Sequence, residues 1–294
     1  MKFSDIGQQL RAYRMESGMR AEEIAARLGV SRAALYRYEK GEVIKLETIR
    51  RLAELLKVSP LALLGIGIEY FSRPSGLQER LRGLEEQAEQ ILVVGGAFHY
   101  PLTGDGFDGA LADVWTQTAP NGPERAAAMA GIEQALGVLA GRKRVQAQRR
   151  PGIIAVLSES ALRQFLDEGV APAVPLPETT RLRCRIAAAQ EAEHLANLLE
   201  NVPIGLQIGL APAGAVLSPF IILRGRDRAN LVTAPLPADA HPMALGGVSG
   251  ITAADEAVAA HQRVAEALWR DALKGSDAAA RVRKMARLAV ESAA

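Results

Sequence analysis

The chain has 294 residues, 49% of them hydrophobic and 23% charged, enough for about two buried cores and too apolar for a disordered protein. No run of about 18 uncharged apolar residues occurs, which argues against a membrane-spanning helix, and Cys184 is the only cysteine, which excludes an intrachain disulfide and a Cys-based zinc site. The formal charge of +2 is unevenly spread: residues 1–70 carry 12 Lys or Arg against 9 Asp or Glu, and only that part has the sign that nucleic acid attracts.

The first residues include Asp5, Gln8 and Gln9 in place of the apolar stretch of a signal peptide, so a cytoplasmic location is expected. Ile6, Leu10 and Tyr13 recur at i, i+4 and i+7 and predict a helix over 4–17, with Ser4 as its cap and Gly18 as its stop. A second helix over 21–28 turns Ile24, Ala25 and Leu28 inward and sets Glu22 and Glu23 near its positive end. Gly29 then supplies a left-handed turn position. Ser31 caps a third helix that reaches Lys40 and stops at Gly41. Its inward positions are Val30, Leu35 and Tyr38; Arg32, Ala33, Tyr36, Arg37 and Lys40 lie opposite. Two further helices, over 46–56 and 60–64, bring Ile49, Leu52, Ala53, Leu56 and Leu61 to the same core, and Pro60 suits a first helical turn.

Five helices with a glycine turn between the second and third resemble the Cro/CI-like, or XRE, helix-turn-helix family. The resemblance covers residues 4–65 and is carried by Ile24, Ala25, Ala26, Arg27, Leu28, Gly29, Val30 and Ser31, then Leu35, Tyr38, Glu39 and Gly41, then Leu52, Ala53, Leu56 and Val58. It implies that the third helix enters the major groove of double-stranded DNA. Arg32, Ala33, Tyr36 and Arg37 would then meet base edges, with Ala34 beside them. Arginine can donate twice to guanine, and an alanine methyl can pack on that of thymine. The alternative is that both arginines touch phosphate alone. Family members often begin the second helix with a phosphate-binding Gln, where this chain has Ala21. Backbone anchoring therefore falls to main-chain N–H groups, Arg20, Ser31, Lys40 and Lys45. The resemblance also implies a structural ion pair between Arg14 and Glu39, which would hold the third helix in orientation.

Residues 66–76 mix glycine, proline and apolar side chains and mark a boundary, although 66–71 are too apolar for a free linker and should dock or pair with a second subunit. The division expected is a helix-turn-helix domain over 1–68, a connector over 69–76 and an α+β sensor or dimerisation domain over 77–294. In the last, a helix over 78–90 places Leu81, Leu84 and Ala88 on one face, and 91–94 read as a buried strand. The glycine-rich stretch 95–108 reads as a loop suited to a lid or ligand. Within it Gly104, Gly106 and Gly109 match GxGxxG, but no strand runs into them, so a solvated turn is expected rather than a dinucleotide site. Asp105 and Asp108 lack the spacing of an EF-hand loop.

A helix over 124–139 follows Pro123 and leads into a basic cluster of Arg142, Lys143, Arg144, Arg149 and Arg150. That cluster is a solvated helix end, an anion site or a second DNA contact. Residues 152–157 read as a strand, and Ser158 caps a helix to Phe165. Residues 172–177 break regularity, 185–200 form a helix, and strands are expected at 204–210, 220–223 and 231–233 before helices at 253–273 and 277–291. The fold class is therefore multidomain, with an all-α five-helix lambda-repressor-like unit followed by an α+β domain.

The second region resembles the sensor-like domain of bacterial antitoxin-like helix-turn-helix regulators over residues 77–285. The residues that carry this are Gly83, Leu84, Glu85 and Ala88; residues 142–148, 156–163 and 195–199; residues 201–207; and Ser218, Pro219 and Phe220. The family's Pro-Gly-Leu-Leu-Gln run near Tyr100 is absent. A regulator set by a small molecule or a protein partner is implied. His99, His194, His241 and His261 are scattered, Glu191 and His194 at i and i+3 have no second such pair, and neither a GxSxG elbow nor a Walker A loop is present. No catalytic constellation, cofactor or metal is expected. The expected function is a homodimeric, sequence-specific transcriptional regulator on two-fold related operator half-sites. The alternative is an antitoxin-like protein that holds a toxin or sigma-type partner and autoregulates its operon.

Overall fold

A computed structural model describes residues 3–171, 176–215 and 217–291. Most of the break expected at 172–177 falls outside that description, as do the side chains of residues 3–5 and with them the expected Ser4 cap, although the Ser4 backbone lies within the first helix. Helices α1 (Phe3–Ser17), α2 (Ala21–Leu28), α3 (Arg32–Glu39), α4 (Leu46–Leu56) and α5 (Pro60–Leu63) make the first unit. Their buried faces follow the helical spacing: Leu10 and Tyr13 on α1, Ile24 and Leu28 on α2, Leu35 on α3, and Ile49, Leu52 and Leu56 on α4. Gly18 and Gly29 both adopt φ of 71° at the turns. Leu61, expected inside, is 55% exposed; α5 has a single turn, and its inward side is taken by Ala62 and Leu63.

The stretch expected as a connector is built into the second unit. Strand β1 (Ile68–Phe71) forms one edge of an eight-stranded sheet, and helix α6 (Pro74–Gln87) starts three residues later. The strand was hidden because one of its two inward positions is Glu69 rather than an apolar residue. After α6 come β2 (Gln90–Val94), α7 (Asp105–Thr118), α8 (Arg125–Arg149), β3 (Gly152–Ser158), α9 (Glu159–Glu168), α10 (Glu178–Glu200) and β4 (Leu206–Ala211). Then follow β5 (Phe220–Arg224), β6 (Ala229–Thr233), β7 (Ser249–Thr252), α11 (Asp255–Asp271), β8 (Leu273–Lys274) and α12 (Gly275–Glu291). The strand order is β1-β7-β6-β5-β2-β3-β4-β8. Strands β2, β3 and β4 are parallel, as their long helical crossovers require, and the remaining pairings are antiparallel. The expected fold class, an all-α unit followed by an α+β domain, is what the chain adopts.

The sheet separates two cores by the period of two along each strand. Ile91 and Val93 of β2, Ile153 and Ala155 of β3, and Ile221 and Leu223 of β5 face the larger core with α6, α7, α9, α10 and α12. Val94, Val156 and Ile222 face a smaller core with Val258 and Ala265 of α11. The larger core runs without a break into the helix-turn-helix unit. Tyr13 of α1 stacks on Phe71 of β1, with centroids 5.2 Å apart and planes 13° apart.

Several elements differ from expectation. Strands β7 and β8 were not foreseen, α8 runs on to Arg149, and α10 starts at Glu178. The glycine-rich 95–108 stretch holds a 3-10 turn at Tyr100–Leu102, and the GxGxxG match is the start of α7. Gly104 is its N-cap, and Asp105 and Asp108 sit in its first turn, where their negative charges complement the positive end of the helix dipole. The match reflects helix capping rather than a solvated turn.

Candidate nucleic-acid interface

The turn between α2 and α3 is set by short-range chemistry. Gly29 ends α2 in the left-handed region, and its N–H reaches Ala26. Ser31 then caps α3, its hydroxyl oxygen accepting from the Ala34 N–H at 3.1 Å. The same hydroxyl keeps its own proton, which is free to donate to a phosphate oxygen.

Helix α3 shows Arg32, Ala33, Tyr36 and Arg37 to solvent and buries Ala34, Leu35 and Glu39. Ala34 was expected beside the bases; at 9% exposure it belongs to the packed side instead. Tyr38 and Val30 are half-buried against the core. Arg32 does not hang free. Its guanidinium meets the Glu22 carboxylate at 2.8 Å, donates to the Tyr36 hydroxyl at 3.1 Å and lies 5.3 Å from that ring's centroid. Arg37 faces Glu42 at 3.6 Å. Surface pairs of this kind contribute about 0–1 kcal/mol, so both arginines can exchange a carboxylate for a base or phosphate at small cost. Glu22 and Glu42 are the residues that sequence reasoning missed; their contacts come from the fold of the turn and carry no sequence signature.

The residues expected to anchor the backbone sit at helix ends. Arg20 and Lys45 occupy the N-cap positions of α2 and α4, Lys40 the C-cap of α3, and all three are exposed. Behind the face, Arg14 of α1 makes a two-pronged contact with Glu39, Nε to Oε1 at 2.5 Å and Nη2 to Oε2 at 3.1 Å. Both are buried. Gly7 lets α1 approach the same end of α3 closely, since a Cβ there would stand 2.6 Å from the Glu39 carbonyl and 2.7 Å from the Gly41 nitrogen. The inner side of α3 is thus held by an ion pair and a backbone contact.

Residues 5–64 match the family described as a helix-turn-helix domain. The chain carries a helix-turn-helix DNA-binding domain at its N-terminal side. No curated protein and no solved structure matches the chain. Among the described residues no helix is long and apolar enough to cross a membrane.

The domain is fastened to the sheet through α1 and α6. The Glu16 carboxylate of α1 accepts from the Ser72 N–H and hydroxyl, both at 2.6 Å, and from the Arg73 N–H at 3.0 Å. Gln9 donates to Glu69 at 3.0 Å, and Glu69 receives both prongs of Arg80 at 2.7 and 2.8 Å. Arg11 reaches Glu79 at 3.1 Å. This explains why a helix as charged as α6 is buried on almost every side: its ions are neutralised by partners on α1, β1 and α8.

The basic cluster divides in two. Arg142 is buried and grips Glu85 of α6, Nε to Oε2 at 2.9 Å and Nη2 to Oε1 at 2.5 Å, with Gln78 as a third partner. Lys143 meets Asp108 at 2.8 Å and the Gly104 carbonyl at 3.0 Å. Arg144, Arg149 and Arg150 alone form an exposed helix end. Glu191 and His194 are likewise engaged with backbone: Glu191 accepts from the Gly104 N–H at 3.0 Å, and His194 Nε2 lies 3.0 Å from the Leu102 carbonyl. Burial pushes the Glu191 carboxyl up to about 6. Among the described residues no group of three or more His, Cys, Asp and Glu is arranged to hold a metal ion. Cys184 is buried, and burial raises its thiol pKa.

Proposed function

We propose that the chain is a sequence-specific transcriptional regulator of the Cro/CI type that acts as a homodimer rather than as an enzyme. In this reading Arg32, Ala33, Tyr36 and Arg37 read bases in the major groove, and Arg20, Ser31, Lys40 and Lys45 hold phosphates. The observation that carries it is the presentation of α3: an exposed face of donors and one methyl, with its reverse side clamped by Arg14, Glu39 and the Gly7 contact. The charge excess of the first 70 residues is small, so affinity rests on doubling the contact through two subunits. Leu182 and Ile186 on α10, each about half exposed, offer apolar surface to a second copy. The larger domain sets the activity of the head through α1 and α6, and its largely apolar, partly open cavity favours a small molecule over a protein partner as the signal.

The test is operator selection from random-sequence DNA followed by gel-shift titration of Arg32→Ala and Arg37→Ala. Each should lose roughly 5- to 150-fold in affinity for its selected site, the equivalent of about 1–3 kcal/mol, and relax selectivity at one base position. Undiminished affinity and selectivity in both variants would refute the groove assignment.

A further inference from the structure

The carboxyl end of β2 and the start of its antiparallel neighbour β5 open on a cavity of about 290 Å³. It lies where β2 stands between a parallel neighbour, β3, and an antiparallel one, β5, a place where open sheets commonly leave a crevice. Space on this scale is roughly ten waters' worth and sits at the lower end of small-molecule sites. Its walls are mostly apolar, with Leu81 of α6, Val93 of β2, Phe165 of α9, Ile221 of β5 and Leu236 of the loop before β7. His99 lines the same cavity, and its Nε2 is buried without a hydrogen-bond partner among the described residues. A buried polar nitrogen left unpaired is a standing cost, and a turn of the ring toward the cavity would let a partner there remove it.

The charges around the cavity limit what that partner can be. Arg142 also lines it, but its charge is consumed by Glu85. Burial first, and then Arg142, push the His99 imidazole down to about 3, so the ring is neutral at physiological pH. The carboxyl groups on the lining are Glu168 and Asp239, and burial raises the Asp239 carboxyl above its ordinary value; Tyr100 lines it too, its hydroxyl donating to Asp108 and held protonated by burial. Among the described residues an ionised acid would find no unspent cation here, and it would lose its hydration.

We infer that this cavity binds a compact neutral molecule, largely apolar, whose single hydrogen-bonding group pairs with His99 Nε2. Helix α6 gives the binding a consequence. Gln78, Leu81 and the Arg142–Glu85 pair touch the cavity or lie one contact from it, and the same helix meets α1 at Glu16, Gln8 and Arg11. A ligand that shifts α6 shifts the mounting of the DNA-reading head. The binding site stands independently of the regulator reading; its effect on DNA rests on that reading.

Titration calorimetry on the full chain at pH 7 with phenol, indole, toluene and benzoate tests the site. Phenol and indole should bind saturably at one site, toluene about 3- to 10-fold more weakly for want of one hydrogen bond, and benzoate not at all. His99→Phe should remove the preference of phenol over toluene, and Ala161→Phe, a half-exposed position on the cavity rim, should abolish binding of both. No saturable binding of phenol or indole at millimolar concentration, or binding unchanged in both variants, would overturn the assignment. A gel shift on selected operator DNA with and without phenol separates the two readings: binding to the protein with an unaltered DNA complex would overturn the link through α6, whereas loss of DNA binding in the Arg32 and Arg37 variants bears only on the head.

Discussion

Replacing Gly76 by alanine should force α1 and α6 apart, whereas the same change at Gly83, two turns along the helix, should not. A Cβ on Gly76 would stand 2.9 Å from the Glu16 Cα and 2.8 Å from its Cβ, at least about 0.5 Å inside ordinary contact, and the backbone atom cannot turn aside. Overpacking of this kind costs about 1–3 kcal/mol, against at most about 1 kcal/mol gained from alanine's better helix propensity. At Gly83 the nearest atoms are the Oε1 and Cδ of Gln8, at 2.7 and 3.0 Å, the end of a side chain that can swing away. The propensity gain should then prevail, leaving Gly83→Ala neutral or up to about 1 kcal/mol more stable. Urea unfolding of the full chain reads the contrast as a lowered midpoint for Gly76→Ala alone, with an unchanged slope. Equal midpoints for the two variants would refute the claim that α1 and α6 are in backbone contact at Glu16.

Glu85→Ala leaves Arg142 buried with Gln78 but without a counter-charge and should cost about 3–5 kcal/mol, measurable by the same unfolding assay; a loss below 1 kcal/mol would mean that Arg142 finds water. Ser31→Ala removes the cap of α3 and should cost about 1 kcal/mol, while Ser31→Thr should retain most of the stability. The raised pKa of Glu191 sets a pH dependence. Its folded-state value of about 6 lies above the ordinary 4.5, so the folded form holds its proton more tightly. The associated stability is present at acid pH and lost as pH rises from about 4.5 to 6, to the extent of about 2 kcal/mol. Asp108 adds to the rise, while His194, Lys143 and the Gly104 N–H oppose it. Glu191→Gln, which can still accept from Gly104, should match the parent near pH 4 and exceed it by up to about 2 kcal/mol at pH 7. Parallel stability curves for the two proteins would exclude this account.

The helix-turn-helix domain was legible because its signals are local. Helical spacing of apolar residues, a left-handed Gly29 and the Ser31 cap each act within one or two turns of chain, so the sequence alone places α2 and α3 to within a residue. It also pointed to Arg14 and Glu39 as partners, through resemblance. The larger domain was legible only in outline. Its central strands are apolar runs, but β1 carries Glu69 inward and reads only as a segment that docks or pairs, and the helix after it reads as apolar on one face alone; their charges are buried because Arg80, Gln9 and Arg142 are brought to them. What the sequence by itself determined is the helix-turn-helix unit and, after it, the central strands and most of the helices, but not β1, α7, β7 or β8. The tertiary structure decided which charges are buried, how α1 is fastened to α6, and that His99 faces a cavity with an unpaired nitrogen. The reason is range: caps and periodicity act between neighbours in sequence, whereas ion pairs such as Arg142–Glu85 and the walls of the cavity join residues far apart in the chain, whose meeting depends on the sheet between them.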